Sequence, residues 1–209
     1  MTFPTRQYEQ ELRNKGYNLI AGVDEAGRGA WAGPLVAAAV IMPEDFFLDG
    51  IRDSKLLNEK KRKEFCEKIK KIAVSWAVGI VDISYINQYN IGRANIKAFE
   101  LAIDRLSVKP DCALIDGLSQ ASAVPFPLNV KRVYIKDGDA IIYSIAAASI
   151  IAKVTRDEIL KKEQSRFPEY GFDKHKGYGT KLHQKALEKN GICAIHRILY
   201  KPIKRMIKR

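Results

Sequence analysis

The sequence predicts an α/β fold in which helices flank a mixed β-sheet, and two patterns of apolar residues carry this prediction. Short apolar runs typical of strands occur at 18–24, 33–42 and 74–82. Two more, at 111–116 and 129–135, alternate with segments whose apolar residues recur at helical spacing. Only a glycine-rich turn separates the first two strands, so we expect these two to pair antiparallel.

Five helices are expected around this sheet. They are a short polar helix within 1–17 and four further helices at 58–73, 90–106, 139–167 and 180–191. In the second helix, Phe65, Ile69 and Ile72 fall on one face and lysines surround them, which is typical of a helix packed on a core. Asn58 is suited to begin that helix as an N-cap, and Gly191 is suited to end the last one.

The composition favours a polyanionic partner. The chain has 209 residues, with 36 Lys and Arg against 24 Asp and Glu, which gives a formal net charge of +12. Such an excess suggests nucleic acid before a membrane surface, although a merely soluble basic protein fits the charge equally well. No repeat or linker divides the chain. We therefore interpret 1–209 as one domain, with an N-terminal polar segment, 1–17, and a C-terminal helical, basic segment, 180–209.

Cysteine usage and hydropathy predict the compartment. Cys66, Cys112 and Cys193 are far apart and form no CxxC motif, which argues against a zinc site or a disulfide framework and favours a reducing cytoplasm. The N-terminus lacks the apolar core of a signal peptide. The longest apolar stretch, 140–152, is shorter than the roughly 20 residues that span a bilayer. We expect a cytoplasmic protein that does not bind membranes.

Two carboxylates stand at the ends of predicted strands. Asp24 closes the strand at 18–24, and Asp116 closes the strand at 111–116. If these strands are parallel neighbours, the two acids lie close together, and each pKa rises unless a cation lies between them. Oxygen ligands of this kind suit Mg²⁺ or Mn²⁺. Either residue alone also fits a turn, because Asp is common before Gly there, but the pair in a basic chain favours a metal site.

Other acids have roles that the residues alone leave open. Glu25 follows Asp24, and adjacent residues of a regular strand point to opposite faces. The two can share a site only if the strand breaks there or if one contributes its main chain. Asp139 stands at the start of the predicted long helix and fits an N-cap. Asp137 is a competing turn residue, and Asp157 fits a pair with a nearby Lys or Arg.

Several familiar site patterns are missing. The glycines of 27–33 read G-x-G-x-x-x-G, one residue longer than the dinucleotide fingerprint, and no GxxxxGK[ST] loop or GxSxG elbow occurs. His175, His183 and His196 lack zinc spacing, and we interpret them as polar surface. Tyr178 lies between glycines amid basic residues. It fits stacking on a base or sugar as well as packing on the core.

Six motifs follow one another along the chain: AGVDEAGRGAWAGPLVAAAV from residue 21, DSK (53–55), LIDG (114–117), DGDA…SIAAASIIAKVTRD (137–157), HKGYGT (175–180) and IHR (195–197). In this order, over roughly residues 18–200, they resemble ribonuclease HII, the type 2 ribonuclease H of bacteria. The resemblance implies a ribonuclease-H-like fold with a mixed five-stranded sheet. It also implies a catalytic site of four carboxylates: Asp24, Glu25, Asp116 and Asp139.

The resemblance further implies how substrate is contacted. The main chain of a glycine turn would approach the ribose 2′-hydroxyl at an RNA–DNA junction, a tyrosine would sense that junction, and a lysine would contact a phosphate. In this chain the glycine turn is Gly27, Arg28 and Gly29. The tyrosine is Tyr178, and the lysine is Lys55. Trp31 and Asp137 depart from the family's usual pattern, in which a smaller residue and a KGD motif are commoner.

The activity implied by the resemblance is that of an endonuclease. It would hydrolyse the RNA strand of RNA–DNA hybrids and cleave 5′ of ribonucleotides embedded in duplex DNA, leaving 5′-phosphate and 3′-hydroxyl ends. Two metal ions, Mg²⁺ or Mn²⁺, would be held by Asp24, Glu25 and Asp116. We expect a monomer. Two other classes of function fit the residues, a non-catalytic basic nucleic-acid-binding module and a metal nuclease directed at DNA.

Overall fold

The computed structural model describes residues 3–117 and 130–207, and a mixed sheet lies at the centre of this part of the chain. Its five strands are β1 (Ile20–Ala26), β2 (Leu35–Ile41), β3 (Ser75–Val81), β4 (Cys112–Asp116) and β5 (Lys131–Ile135). They are arranged in the order β3-β2-β1-β4-β5. β2 pairs antiparallel with both β1 and β3, whereas β4 pairs parallel with both β1 and β5. The predicted α/β class and the antiparallel pairing of the first two strands are confirmed.

Helices cover both faces of the sheet. They are α1 (Gln7–Arg13), α2 (Glu59–Ile72), α3 (Ile83–Asp104), α4 (Gly138–Ile141), α5 (Tyr143–Arg166), α6 (Phe172–His175), α7 (Lys181–Asn190) and α8 (Lys201–Ile207), with a 3₁₀ turn at Ser54–Leu56. Helix α3 packs on one face, and α5 with α2 packs on the other. None of the helices described is long and apolar enough to cross a membrane. The outer parts of the predicted segments 1–17, 129–135 and 180–209 lie outside the described residues.

Strands β1 and β2 form the middle of the sheet and are covered on both faces. Every residue of β2 is buried, which explains its continuous apolar run. In β1, Ala21 and Val23 contact the α3 face, so Gly22 between them faces α5. A Cβ at Gly22 would lie 2.1 Å from the carbonyl carbon of Ser144, so only glycine lets α5 lie this close to the strand.

Helix α3 is longer than the predicted helix at 90–106. It begins at Ile83, where the side chain of Asp82 accepts a hydrogen bond of 2.8 Å from the Tyr85 N–H. Asn90 interrupts it with a left-handed φ of 70°, and its side chain accepts a hydrogen bond from the Gly92 N–H. The prediction therefore found the second segment of a kinked helix and missed the first, which has its own cap.

The predicted helix at 139–167 is two helices. Ile142 has an extended conformation between α4 and α5. The side chain of Glu9 in α1 accepts hydrogen bonds from the N–H and hydroxyl of Ser144, at 3.0 and 2.8 Å, and so caps α5. The acceptor for this helix start lies 135 residues away in the sequence, which is why local pattern does not reveal the break.

Candidate active site

Asp24 and Asp116 lie side by side at one edge of the sheet. In the parallel pair of β1 and β4, Val23 lies opposite Ile115, so the next residue of each strand is a carboxylate. This arrangement was predicted, but the prediction that the first strand ends at Asp24 is wrong. β1 continues through Ala26, because its pairing with β2 extends three residues further than its pairing with β4. Asp24 is buried, and its carboxylate accepts a hydrogen bond of 2.7 Å from the Glu25 N–H.

Glu25 lies on the opposite face of β1 from Asp24. It pairs with Ala37, which contacts the α3 side, whereas Asp24 pairs with Ala38, which contacts the α5 side. The strand does not break between the two acids, so their side chains diverge. Burial raises the pKa of Glu25 to about 7, against the opposing charge of Arg28, whose guanidinium lies 3.9 Å from the Glu25 carboxylate.

Asp139 joins this edge from the first turn of α4. It is buried, and the ammonium of Lys55 lies 3.1 Å from its Oδ2 atom. The interpretation of Asp139 as the helix N-cap is wrong, since Asp137 occupies that position with a left-handed φ of 54° and makes no side-chain capping bond. Instead, the Oδ1 atom of Asp116 accepts a hydrogen bond of 2.7 Å from the Gly138 N–H and fixes the turn that carries Asp139.

The electrostatics of this cluster oppose the charged forms of Asp24 and Asp116. Burial raises the pKa of Asp24 well above its ordinary value, and the charges of Glu25, Asp116 and Asp139 raise it further. Burial and the charge of Asp139 also raise the pKa of Asp116. The pKa of Lys55 is raised as well: burial opposes its charge, but Asp139 and other nearby acids outweigh burial. The Lys55 side chain is nevertheless 76% exposed, so it compensates the buried negative charge only in part.

The donor set fits a hard divalent cation. Within 3–117 and 130–207, no group of three or more His, Cys, Asp or Glu side chains is arranged to hold a metal ion by itself. Mg²⁺ does not require such a cage, because it commonly binds one or two carboxylates and takes its other ligands from water and substrate phosphate. Asp24 and Asp116 are a pair of oxygen donors whose mutual repulsion a cation would relieve.

A tight glycine turn follows the carboxylates. Gly27 has a left-handed φ of 96°, and a Cβ there would lie 1.9 Å from the Nε atom of Arg156, so both backbone and space require glycine. A Cβ at Gly29 would meet nothing within 4 Å, and Arg28 is 61% exposed. The surface of this turn is therefore main chain accessible to a ligand, with one guanidinium beside it.

Two buried arginines, to which the sequence motifs assign no role, support this turn from its inner side. Arg156 of α5 and Arg197 are fully buried, and neither forms an ion pair with a carboxylate of the described residues. Their guanidinium groups donate only to oxygens of the protein, mostly main-chain carbonyls. Arg156 bonds to Ala32, Pro34 and Lys176, and Arg197 bonds to Gly27, Arg28, Gly33 and Pro34. Arg156 lies in the motif at 137–157 and Arg197 in the IHR motif, but nothing in either motif indicates that the arginine is buried.

Tyr178 lies over cations at the edge of the same turn. Its ring is half-buried, with the Arg156 guanidinium carbon 5.2 Å and the Lys153 Nζ atom 5.6 Å from the ring centroid. Trp31 connects the loop after the glycine turn to the loop that carries Tyr178. Its main-chain N–H donates to the Gly177 carbonyl at 2.8 Å, and its ring packs directly on Gly179.

The histidines form a buried cluster, so their interpretation as polar surface is wrong. His175 and His183 stack with ring centroids 4.2 Å apart, and the Nε2 atoms of His183 and His196 are 3.0 Å apart. The Nδ1 atom of His183 is also 3.0 Å from the Tyr178 carbonyl. Burial lowers the pKa of both His183 and His196 to about 4, so both rings are neutral at neutral pH. The cluster supports the loop that carries Tyr178.

Asp157 of α5 does what its position in a helix predicts. Its carboxylate lies 2.6 Å from the Nζ atom of Lys153, four residues earlier in the sequence. This pair accounts for Asp157 without a role at the carboxylate cluster, and the prediction of a nearby Lys partner is confirmed.

Comparison with known proteins identifies the family. A family model described as ribonuclease HII matches residues 21–203. The chain belongs to the ribonuclease HII family. A ribonuclease HII from Acetivibrio thermocellus is 49% identical over 92% of this chain and 73% of that protein. Those from Syntrophomonas wolfei and Bacillus anthracis are 46% and 48% identical, each over 97% of this chain and 77% of the relative.

Solved structures agree with this assignment to the ribonuclease HII family. The ribonuclease H2 of Pyrococcus horikoshii has a TM-score of 0.76 at 25% identity, covering 92% of this chain and 98% of that one. A ribonuclease HII from Archaeoglobus fulgidus, solved in complex with PCNA, has a TM-score of 0.72 at 26% identity, covering 88% and 96%. The predicted ribonuclease-H-like fold is confirmed. As a ribonuclease HII, the chain is a metal-dependent endoribonuclease that acts on RNA–DNA hybrids.

Proposed function

We propose that Asp24, Glu25, Asp116 and Asp139 are the catalytic carboxylates of this ribonuclease, and that it cleaves 5′ of ribonucleotides embedded in duplex DNA as well as RNA in hybrids. The observation that carries the proposal is the parallel register that sets buried Asp24 beside Asp116. Buried like charges are costly to a fold, and a cation-dependent reaction at this edge accounts for their presence.

In this proposal Asp24 and Asp116 hold the metal, and Glu25 contributes through its carboxylate or its main-chain carbonyl. Two Mg²⁺ or Mn²⁺ ions held there would activate the attacking water and stabilise the departing 3′-oxygen. Asp139 completes the site or accepts a proton. Lys55, whose ammonium is exposed beside Asp139, donates to a substrate phosphate. The products carry a 5′-phosphate and a 3′-hydroxyl.

Substrate choice in this proposal comes from the turn that follows the carboxylates. The 2′-hydroxyl is the group that distinguishes RNA from DNA, and a main chain without side chains can approach it closely. Gly27 and Gly29 allow that approach, and Arg28 neutralises a neighbouring phosphate. Tyr178 stacks on the sugar or base at the RNA–DNA junction. Such cleavage would give the chain a role in DNA replication and repair. We further propose that the chain is a single domain, that it is a monomer and that it acts in the cytoplasm.

A duplex assay tests the proposal. A DNA duplex with one embedded ribonucleotide and an all-DNA duplex of the same sequence are incubated with the protein and Mg²⁺ or Mn²⁺. We expect a single cut 5′ of the ribonucleotide and no cut in the all-DNA duplex. Cleavage of both duplexes alike would indicate a DNA-directed nuclease, and cleavage of neither, with retained binding, a non-catalytic binding module.

A pair of variants tests the carboxylate assignment. Asp116→Asn should abolish cutting while duplex binding persists, because the amide oxygen can still accept the Gly138 hydrogen bond but the charge is lost. Asp104→Asn is the matched control. Asp104 is exposed at the last residue of α3, before the start of β4, whereas Asp116 is at the end of β4. Full activity of Asp116→Asn would refute the assignment.

A further inference from the structure

The guanidinium of Arg197 forms the base of the glycine turn. Its Nη1 atom donates to the carbonyls of Gly27 and Arg28, at 2.7 and 3.2 Å. The hydroxyl of Tyr200 accepts a hydrogen bond of 3.0 Å from the same Nη1 atom and itself donates to the Arg28 carbonyl. Both carbonyls of the turn are therefore held from one side, across 170 residues of sequence in the case of Gly27.

This contact fixes which way the N–H groups of the turn point, together with a hydrogen bond of 3.2 Å from the Ala30 N–H to the Gly27 carbonyl. In a trans peptide the C=O and N–H bonds point in opposite directions, and the described residues contain no cis peptide. Because the Gly27 and Arg28 carbonyls point towards Arg197, the N–H groups of Arg28 and Gly29 point away from it. Both residues are exposed, and neither N–H has an acceptor among residues 3–117 and 130–207. The turn thus presents two adjacent free donors on its outer side.

The charge behind the turn strengthens these donors. Arg197 is fully buried and has no carboxylate partner among the described residues, so its positive charge acts directly on the peptides that it contacts. A positive charge behind two outward N–H groups favours an electronegative oxygen in front of them. Lysine could not take the place of Arg197, because one ammonium cannot reproduce the forked geometry that reaches Gly27, Gly33 and Pro34 together.

We infer that Arg197, with the hydroxyl of Tyr200, is the positioning element that makes the glycine turn specific for ribose. It holds the N–H groups of Arg28 and Gly29 towards the 2′-oxygen of the substrate and touches no substrate itself. The inference rests on the proposed function, in which this turn contacts the ribose. It adds the residues that determine specificity from behind the turn.

Tyr200→Phe is the mildest test, because it removes one hydroxyl and leaves Arg197 in place. With Mg²⁺ present, kcat and KM are measured on the single-ribonucleotide duplex, and the all-DNA duplex is used as a competitive inhibitor to obtain its Ki. Losing the hydroxyl's hydrogen bonds to Arg197 and to the Arg28 carbonyl should lower kcat/KM about five- to tenfold, partly through a higher KM, and leave the Ki unchanged. Arg197→Lys should lower kcat/KM further, again with an unchanged Ki.

Tyr170→Phe is the matched control. The hydroxyl of Tyr170 also donates to a main-chain carbonyl, that of Gly191 at 3.0 Å, but away from the glycine turn. We expect no change in kcat/KM or Ki for this variant. A purely structural effect of Tyr200→Phe would lower the amount of folded enzyme, which thermal unfolding detects, and would leave KM unchanged.

Three results would overturn the inference. Unchanged kinetics in both Tyr200→Phe and Arg197→Lys would do so, and so would equal weakening of the ribonucleotide and all-DNA duplexes. In either case the unaltered protein would still prefer the ribonucleotide duplex, so the proposed function would stand. If instead the unaltered protein cut both duplexes alike, ribose discrimination itself would fail and the inference with it.

Discussion

The carboxylate cluster and the glycine turn have opposite electrostatics, although Asp24 of the cluster lies only three residues before Gly27 of the turn. Around Asp24, negative groups are buried together, and their partner Lys55 is mostly exposed. Around Gly27, two positive guanidinium groups are fully buried, and carbonyl oxygens bond to both of them. The negative charge of the first region is compensated only in part, whereas the guanidinium groups of the second donate to carbonyl oxygens around them. The difference indicates that the carboxylates are suited to bind a cation, whereas the buried arginines hold the turn in one conformation.

The largest effect is expected from removing a charge at the carboxylate cluster. Asp24→Asn should lower kcat on the ribonucleotide duplex by about a thousandfold or more, since metal-dependent stabilisation contributes several kcal/mol. The same change removes repulsion between buried acids, so the free energy of unfolding without metal should rise. Kinetics and urea denaturation check the two parts. A variant both inactive and destabilised would contradict the description of this region as electrostatically strained.

A large loss of stability is expected from breaking the support of the turn. Arg156→Ala removes three hydrogen bonds and leaves the carbonyls of Ala32 and Lys176 without their side-chain donor, while Pro34 keeps Arg197. It should lower the free energy of unfolding by about 3 kcal/mol. The control is Arg166→Ala on the same helix, whose exposed pair with Glu163 should contribute less than about 1 kcal/mol. Urea denaturation measures both variants. Similar losses in the two would show that the buried arginine is not a structural anchor.

The histidine cluster beside the turn should make stability depend on pH. The pKa of His183 is about 4 in the folded chain and ordinarily 6.5, so the unfolded chain binds more protons between these values. The contribution of His183 is therefore full above pH 6.5 and is lost as the pH falls towards 4. Raised carboxylate pKa values act in the opposite direction, so the useful quantity is the difference between the unaltered protein and His183→Gln.

That difference in unfolding free energy should shrink as the pH falls, by up to about 1.4 kcal/mol per pH unit. Chemical denaturation at a series of pH values between 4 and 8 measures it. A difference that stays constant over this range would mean that His183 is not held neutral by burial.

The smallest effect is expected at the exposed side chain of the turn. Arg28→Ala should raise KM only a few-fold and leave kcat unchanged, because Arg28 is 61% exposed and would contribute one phosphate contact. The slope of log binding constant against log salt should become shallower by about 0.9. Lys109→Ala, at the opposite edge of the sheet, should change neither value. A loss of selectivity for ribose in Arg28→Ala would show that its side chain, and not the main chain, contacts the 2′-hydroxyl.

Sequence reasoning reached the parts of the molecule that depend on local pattern. Strand periodicity predicted the sheet, and the acids that end two apolar runs predicted that Asp24 and Asp116 would meet. Asn58 does begin α2, where its side chain accepts a hydrogen bond from Lys61 N–H at 2.9 Å. Each of these features can be predicted from the residues of one helix or strand, or from the pairing of two parallel strands.

The remaining features depend on contacts between distant parts of the chain. The break before α5 follows from Glu9, and burial of the histidines follows from their stacking on one another. Residue chemistry alone left Asp139 and Asp157 open; the family resemblance favoured Asp139. Arg197 had no assigned role, since a basic chain gives no reason to single out one arginine that reaches Gly27.

Metal binding tests the central claim most directly, namely that the repelling carboxylates of β1 and β4 are the metal site. Titration of the unaltered protein with Mn²⁺ in a calorimeter near pH 6.5 should give binding with proton release, because metal binding favours the charged form of acids whose pKa is raised. The double variant Asp24→Asn, Asp116→Asn should bind at least tenfold more weakly, by roughly 1.4 kcal/mol, and release fewer protons. Equal Mn²⁺ affinity in the two proteins would contradict the account.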